Sequence, residues 1–136
     1  MTAGLLLVTH GKLGRHLLDT MTEMMSGTLP LQHDTLEVRR VQSPEAMLAQ
    51  GIKSLERLDS GAGVLILTDA FGSTPSNIAN KLAADANARV VAGVNLPMLV
   101  RIFNYPKLSI DELAKIAVEG GQRGIVMCPR QNEKPG

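Results

Sequence analysis

Apolar residues along this 136-residue chain fall into two alternating rhythms. The first is Leu5-Leu6-Leu7-Val8-Thr9, a continuous aliphatic run that stops at His10-Gly11. A run of this length bounded by glycine predicts a strand covered on both faces. Leu17, Leu18, Met21, Met24 and Met25 then recur at helical spacing, and Gly27 and Pro30 stop that helix. Thr35–Val41 alternates imperfectly and predicts a partly exposed edge strand. Ser43-Pro44-Glu45 predicts a capped helix start, with Met47, Leu48, Ile52, Leu55 and Leu58 as its buried stripe. Val64–Thr68 is a third strand, again apolar throughout and therefore central. Thr74 and Pro75 are expected to cap and open the next helix, whose buried stripe is Ile78, Ala79, Leu82, Ala83 and Ala86.

Arg89–Gly93 predicts a fourth strand, and Val94–Val100 is apolar nearly all round, which places it inside the core or at an interface. Ser109-Ile110-Asp111-Glu112 is a capping box for a helix ending at Gly120-Gly121. Gly124–Cys128 reads as a short late strand at a sheet edge, and residues 129–136 as a loose polar tail. The strand–helix alternation implies one α/β domain over residues 1–128: a doubly wound, mainly parallel open sheet with helices on both faces.

Bulk composition removes several functions. The formal net charge is +1 and aromatics are 2% of the chain with no tryptophan, so neither a basic nucleic-acid surface nor a base-stacking platform is expected. Cys128 is the single cysteine, which excludes an internal disulfide and a cysteine metal cage. No apolar run has the length of a membrane span, and the N-terminus lacks the charged and small-residue marks of a signal peptide, so a cytoplasmic protein is expected. His16 and His33 share no ligand spacing with His10; no metal site and no cofactor are expected, and both are read as surface residues, His33 in a polar loop.

The chemistry concentrates at one sheet edge. In a parallel α/β sheet, ligands gather beyond the carboxyl ends of the strands. His10 ends the first strand, Asp69 ends the third, and Gly72-Ser73-Thr74 opens a helix. A carboxylate beside an imidazole fixes its tautomer and leaves the other nitrogen free to attack. A helix start offers unpaired amides to an anion. Singly, each piece fits a structural role: a surface histidine, a turn-capping aspartate, a common loop turn, a helix cap. Their arrival at one edge favours phosphoryl transfer through a phosphohistidine, with His10 and Asp69 as catalytic residues. Gly11, Gly72, Ser73 and Thr74 would then be the phosphoryl-binding residues.

Three stretches carry a resemblance: Thr9-His10-Gly11, Thr68-Asp69-Ala70-Phe71-Gly72-Ser73-Thr74-Pro75-Ser76-Asn77, and Val91–Leu99 with its Ala-Gly-Val-Asn-Leu-Pro-Met-Leu run. Together they make the chain similar, over nearly its whole length, to the mannose-family enzyme IIA component of the bacterial phosphoenolpyruvate-dependent sugar phosphotransferase system. The resemblance implies that His10 accepts a phosphoryl group from the phosphocarrier phospho-HPr and passes it to a separate IIB component for sugar uptake. It implies that Asp69 hydrogen-bonds His10 and that the Gly72-Ser73-Thr74 turn lies at the phosphoryl site. It also implies a homodimer with the Gly124–Cys128 strand exchanged between subunits. Ser73 and Ser76 depart from the family's usual Phe-Gly-Gly-Ser-Pro-Phe-Asn pattern, on the side where a partner would dock. The alternative is a regulatory module whose His10 phosphorylation switches protein partners without sugar transport. A histidine phosphatase or mutase is disfavoured, because Thr9 stands where those enzymes need an arginine.

Overall fold

The computed structural model describes residues 1–132. Their elements are β1 (Gly4–His10), α1 (Leu13–Met24), β2 (His33–Val38), α2 (Pro44–Leu58), β3 (Val64–Thr68), α3 (Thr74–Ala84), β4 (Ala88–Ala92), α4 (Leu96–Asn104) and α5 (Ile110–Arg123). The sheet order is β2-β1-β3-β4, and every pairing is parallel. This is the doubly wound arrangement, with its change of winding direction between β1 and β3. The first and third strands are neighbours because each is apolar on both faces and only the middle of a sheet covers both. Leu5 to Val8 and Leu65 to Leu67 are 0% exposed.

The sheet divides the core in two. Leu5, Leu7, Leu65 and Leu67 face α1, α4 and α5, meeting Leu18, Met21, Leu99, Ile102, Phe103 and Leu113. Leu6, Val8, Val64 and Ile66 face α2 and α3, meeting Met47, Leu55, Ile78 and Leu82. Truncating one of these leucines to alanine removes about 2–5 kcal/mol. The apolar segment after Gly93 is α4. Asn95 caps it by accepting from the Met98 amide at 2.9 Å and donates to the Gly121 carbonyl at 3.2 Å. Its close packing on α5 depends on small residues, since a Cβ at Gly120 would lie 2.7 Å from the Arg101 Cβ.

Helix starts follow the local chemistry. The Ser43 Oγ accepts from the Ala46 amide at 3.1 Å with Pro44 in the first turn, and the Ser109–Glu112 capping box is complete. Several expectations are corrected. Met24 is 57% exposed and Ile52 50% exposed, so neither belongs to the buried stripe assigned to it. Each lies at the margin of its helix's apolar face, beyond the width the sheet covers. β2 is indeed an edge strand, but it runs from His33, which pairs with Leu5; His33 therefore begins a strand instead of lying in a loop. Ser73, not Thr74, is the N-cap of α3.

The late strand is absent from the sheet among the described residues. Gly124 still belongs to the end of α5, its amide donating to the Gly120 carbonyl, and Ile125–Arg130 has no regular structure. A strand exists only by pairing, and among the described residues no segment pairs with that one. Residues 133–136 of the polar tail lie outside the described residues.

Thr68 closes β3 with its hydroxyl buried and, among the described residues, without a hydrogen-bond partner. Leaving such a group unpaired costs about 1–3 kcal/mol. Thr68→Val keeps the branched shape and removes the hydroxyl. It should raise the unfolding free energy by about 1 kcal/mol in urea titration; a fall of that size would show that the hydroxyl is satisfied in solution.

Candidate functional site

β1 and β3 end side by side, and this register builds the site. Val8 pairs with Thr68, so His10 and Asp69 project from adjacent strand ends. One carboxylate oxygen of Asp69, Oδ2, accepts both the His10 backbone N–H at 3.0 Å and the His10 ring Nδ1 at 2.7 Å. The other, Oδ1, accepts the Ala70 amide at 3.0 Å. Burial pushes the Asp69 carboxyl up. The hydrogen bonds from the His10 amide, the His10 ring and its neighbouring backbone outweigh this and hold it below its ordinary value of 3.8. An ionised carboxylate only accepts hydrogen bonds, so Nδ1 carries the proton. In the neutral ring, Nε2 then keeps its lone pair. The His10 side chain is 60% exposed and Asp69 11%, so the imidazole is open to solvent while the carboxylate that anchors it is largely covered.

The turns on either side hold this geometry. Thr9, buried in β1, accepts the Gly14 amide on its Oγ1 at 2.8 Å and ties the start of α1 to the strand. Gly11 turns the chain with φ +49° and donates its amide to the Val38 carbonyl at 3.0 Å. After Asp69, Gly72 takes φ +81°, a left-handed conformation that glycine adopts without strain. Ser73 donates its hydroxyl to the Ala70 carbonyl at 2.6 Å and makes no side-chain cap, so the first amides of α3 keep the positive end of the helix unscreened.

An open groove of about 390 Å³ lies beside the imidazole, and His10, Arg39, Arg40, Gln42, Met47 and Thr74 are among its walls. The structure thus brings His10, Asp69 and Thr74 together. Gly11, Gly72 and Ser73 shape the adjoining turns but are not in the groove wall. Sequence reasoning missed Arg39 and Arg40. The available signal was an arginine pair at the carboxyl end of a strand, which becomes informative only once β2 is known to lie beside β1. Glu37 accepts from Arg39 at 3.0 Å and from Arg15 at 3.1 Å, and these two partners, Arg39 first, lower its carboxyl below the usual range. Phe71, in the turn after Asp69, is 88% exposed. Among the described residues, no three His, Cys, Asp or Glu side chains converge to hold a metal ion, and no helix is long and apolar enough to cross a membrane.

The site is thus a doubly wound sheet that presents an aspartate-anchored histidine beside the open start of a helix. Comparison with known proteins is specific. Residues 4–118 match the EIIA-man family, described as the PTS system fructose IIA component, and the chain belongs to that family. It is 35% identical over 130 residues to the mannose-specific EIIAB component of the phosphotransferase system of Escherichia coli K12. That match covers 92% of this chain but 39% of the longer relative. A fructose-specific EIIA component of Bacillus subtilis is 34% identical over 73 residues, covering 52% of this chain and 50% of that one. Among solved structures, the mannose/sorbose IIA subunit of Enterococcus faecalis superposes with a TM-score of 0.84 at 26% identity, covering 98% of this chain and all of the other. A IIA protein associated with the fucose utilization operon of Streptococcus pneumoniae shares the fold, with a TM-score of 0.76 at 22% identity over 93% of this chain and 96% of that one.

The depressed Asp69 pKa makes a prediction about acid stability. Folded-state ionisation favours the native chain above the ordinary value of 3.8, and that contribution is lost as pH falls through the lower folded value. Wild-type urea midpoints should therefore drop from about pH 5 to about pH 2.5 more steeply than those of Asp69→Asn. Parallel curves for the two proteins would show that the carboxylate is not held ionised by His10.

Proposed function

We propose that this chain is a phosphocarrier of the sugar phosphotransferase system, accepting a phosphoryl group on His10 from phospho-HPr and passing it to a IIB component. The observation that carries this reading is the 2.7 Å contact between His10 Nδ1 and Asp69 Oδ2. It leaves Nε2 as the nucleophile. The Nε2 lone pair attacks the donor's phosphorus, the new N–P bond forms, and the donor nitrogen leaves with the electron pair of the bond that breaks. The ring then carries both the phosphoryl group and the Nδ1 proton, and the Asp69 carboxylate stabilises its positive charge. The second transfer repeats the displacement with the IIB component as acceptor. The first turn of α3, with Gly72, Ser73 and Thr74, offers its amides to the phosphoryl oxygens. The relay operates in the cytoplasm and requires no metal or organic cofactor.

A homodimer joined by exchange of Gly124–Cys128 belongs to the same proposal. Two features support it. Among the described residues, β4 is the last strand of the sheet and its outer edge is unpaired. Ile125, Val126 and Met127 are 77%, 68% and 95% exposed, a run of apolar side chains that a paired strand would cover.

The test is incubation with phosphoenolpyruvate, enzyme I and HPr, followed by intact-mass measurement. The chain should gain one acid-labile phosphoryl group. His10→Ala should gain none, and Asp69→Ala should be phosphorylated at least about tenfold more slowly. Uptake by His10→Ala would refute the assignment. Light scattering at micromolar concentration should give the mass of a dimer, and deletion of residues from Ile125 onward should give a monomer. A monomeric full-length chain would remove the exchanged strand.

A further inference from the structure

We propose that Arg40 is a phosphoryl-binding residue, its guanidinium gripping the phosphoryl group carried on His10 Nε2. This deepens the function proposed above and rests on His10 being phosphorylated.

The placement follows from sheet register. His10 pairs with Val38 of the neighbouring strand, and the Gly11 amide bonds the Val38 carbonyl at 3.0 Å. Adjacent strands run about 4.8 Å apart. Arg39 and Arg40, the next two residues, therefore leave the sheet beside the imidazole, and both line the groove that His10 lines. His10 shares its strand face with Leu6 and Val8, the face covered by α2 and α3, and the groove floor includes Val38 and Met47 of that same side. With Nδ1 tied to Asp69, a group on Nε2 points away from the one carboxylate that touches the ring.

Charge then separates the two arginines. Arg39 is committed to Glu37 at 3.0 Å, and Arg15 takes the same carboxylate at 3.1 Å. Two guanidinium groups thus share the one Glu37 carboxylate at this corner. Among the described residues, Arg40 has no hydrogen bond or ion pair of its own and is exposed. Glu45, in the first turn of α2, is exposed and is not part of the groove wall. Pro44 and Thr74, which open α2 and α3, also border the groove, so two helix starts add positive potential to the unbalanced arginine. A long, uncommitted guanidinium facing a nascent dianion has the fork geometry that phosphate oxygens accept in pairs.

An equilibrium measurement tests this, because it reads the stability of the phosphorylated state and not the speed of docking. The chain is mixed with phospho-HPr until the distribution of phosphoryl groups stops changing, and both phosphorylated fractions are read by intact mass. Arg40→Gln should shift the transfer equilibrium back toward phospho-HPr by about threefold to fivefold, a size suited to an exposed but charge-assisted contact. Arg40→Lys should recover part of that shift, and the difference between wild type and Arg40→Gln should shrink as salt is raised. Since Arg40 has no partner among the described residues, thermal unfolding of both variants should match wild type. An unchanged equilibrium in Arg40→Gln, with wild type phosphorylated, overturns the role of Arg40 and leaves the phosphocarrier function standing. A shift that lysine does not recover at all overturns the charge account. A wild-type chain that takes up no phosphoryl group overturns the phosphocarrier function, and Arg40's role with it.

Discussion

One carboxylate oxygen holds this site together. Asp69 Oδ2 accepts the backbone amide and the ring nitrogen of the same residue, His10, across the β1–β3 boundary. Neither strand end would place its side chain this well alone, because strand termini fray and exposed histidines rotate freely. The two bonds fix the imidazole's position, its tautomer and the nitrogen that faces out. They also require Asp69 to stay ionised, and the same hydrogen bonds that orient His10 depress the Asp69 pKa. Orientation and ionisation are thus one effect seen from two sides.

That interaction depends on the core beneath it. His10 and Asp69 meet because β1 and β3 are paired in the centre of the sheet, and they are central because they are aliphatic on both faces. Register passes this precision upward: Leu5 opposite Leu65 at the bottom becomes Val8 opposite Thr68 at the top. Thr9 sends its hydroxyl to the Gly14 amide, which fixes how α1 leaves the strand and keeps the His10-Gly11 turn from drifting. The Thr68 hydroxyl has no comparable partner among the described residues, so the two threonines below the site play unlike parts.

Electrostatics around the imidazole are uneven in a useful way. One ring nitrogen faces an anion, while the groove beside the other carries arginines and two helix starts. The proposed phosphorylation would turn a neutral ring into a positively charged one on one side and place a dianion on the other. The surroundings would suit the product of that change, with the Asp69 carboxylate beside the ring and the arginine-lined groove beside Nε2. Membership of the EIIA-man family agrees with such a centre, and the 26% identical Enterococcus faecalis subunit shows that the scaffold tolerates wide change in sequence.

By itself, the chain determined whatever depends on local pattern. Val64–Thr68 was legible as a central strand because no polar residue interrupts it, and the Ser109–Glu112 capping box because its bonds span three residues. His10 and Asp69 were legible as a pair because both follow such strands and parallel sheets gather strand ends on one edge. Tertiary structure decided the rest. The Arg39–Arg40 pair became part of the groove only through the pairing of β2 with β1, a long-range contact that no local spacing encodes. Ser73 displaced Thr74 as the N-cap position because its backbone is still extended while its carbonyl already accepts the Asn77 amide; its hydroxyl bends back to the Ala70 carbonyl and caps nothing. Met24 and Ile52 fell outside the core because helical spacing gives a direction but not the width that the sheet covers. Gly124–Cys128 has a strand's composition, yet a strand is a relation between two segments, and among the described residues the second is missing.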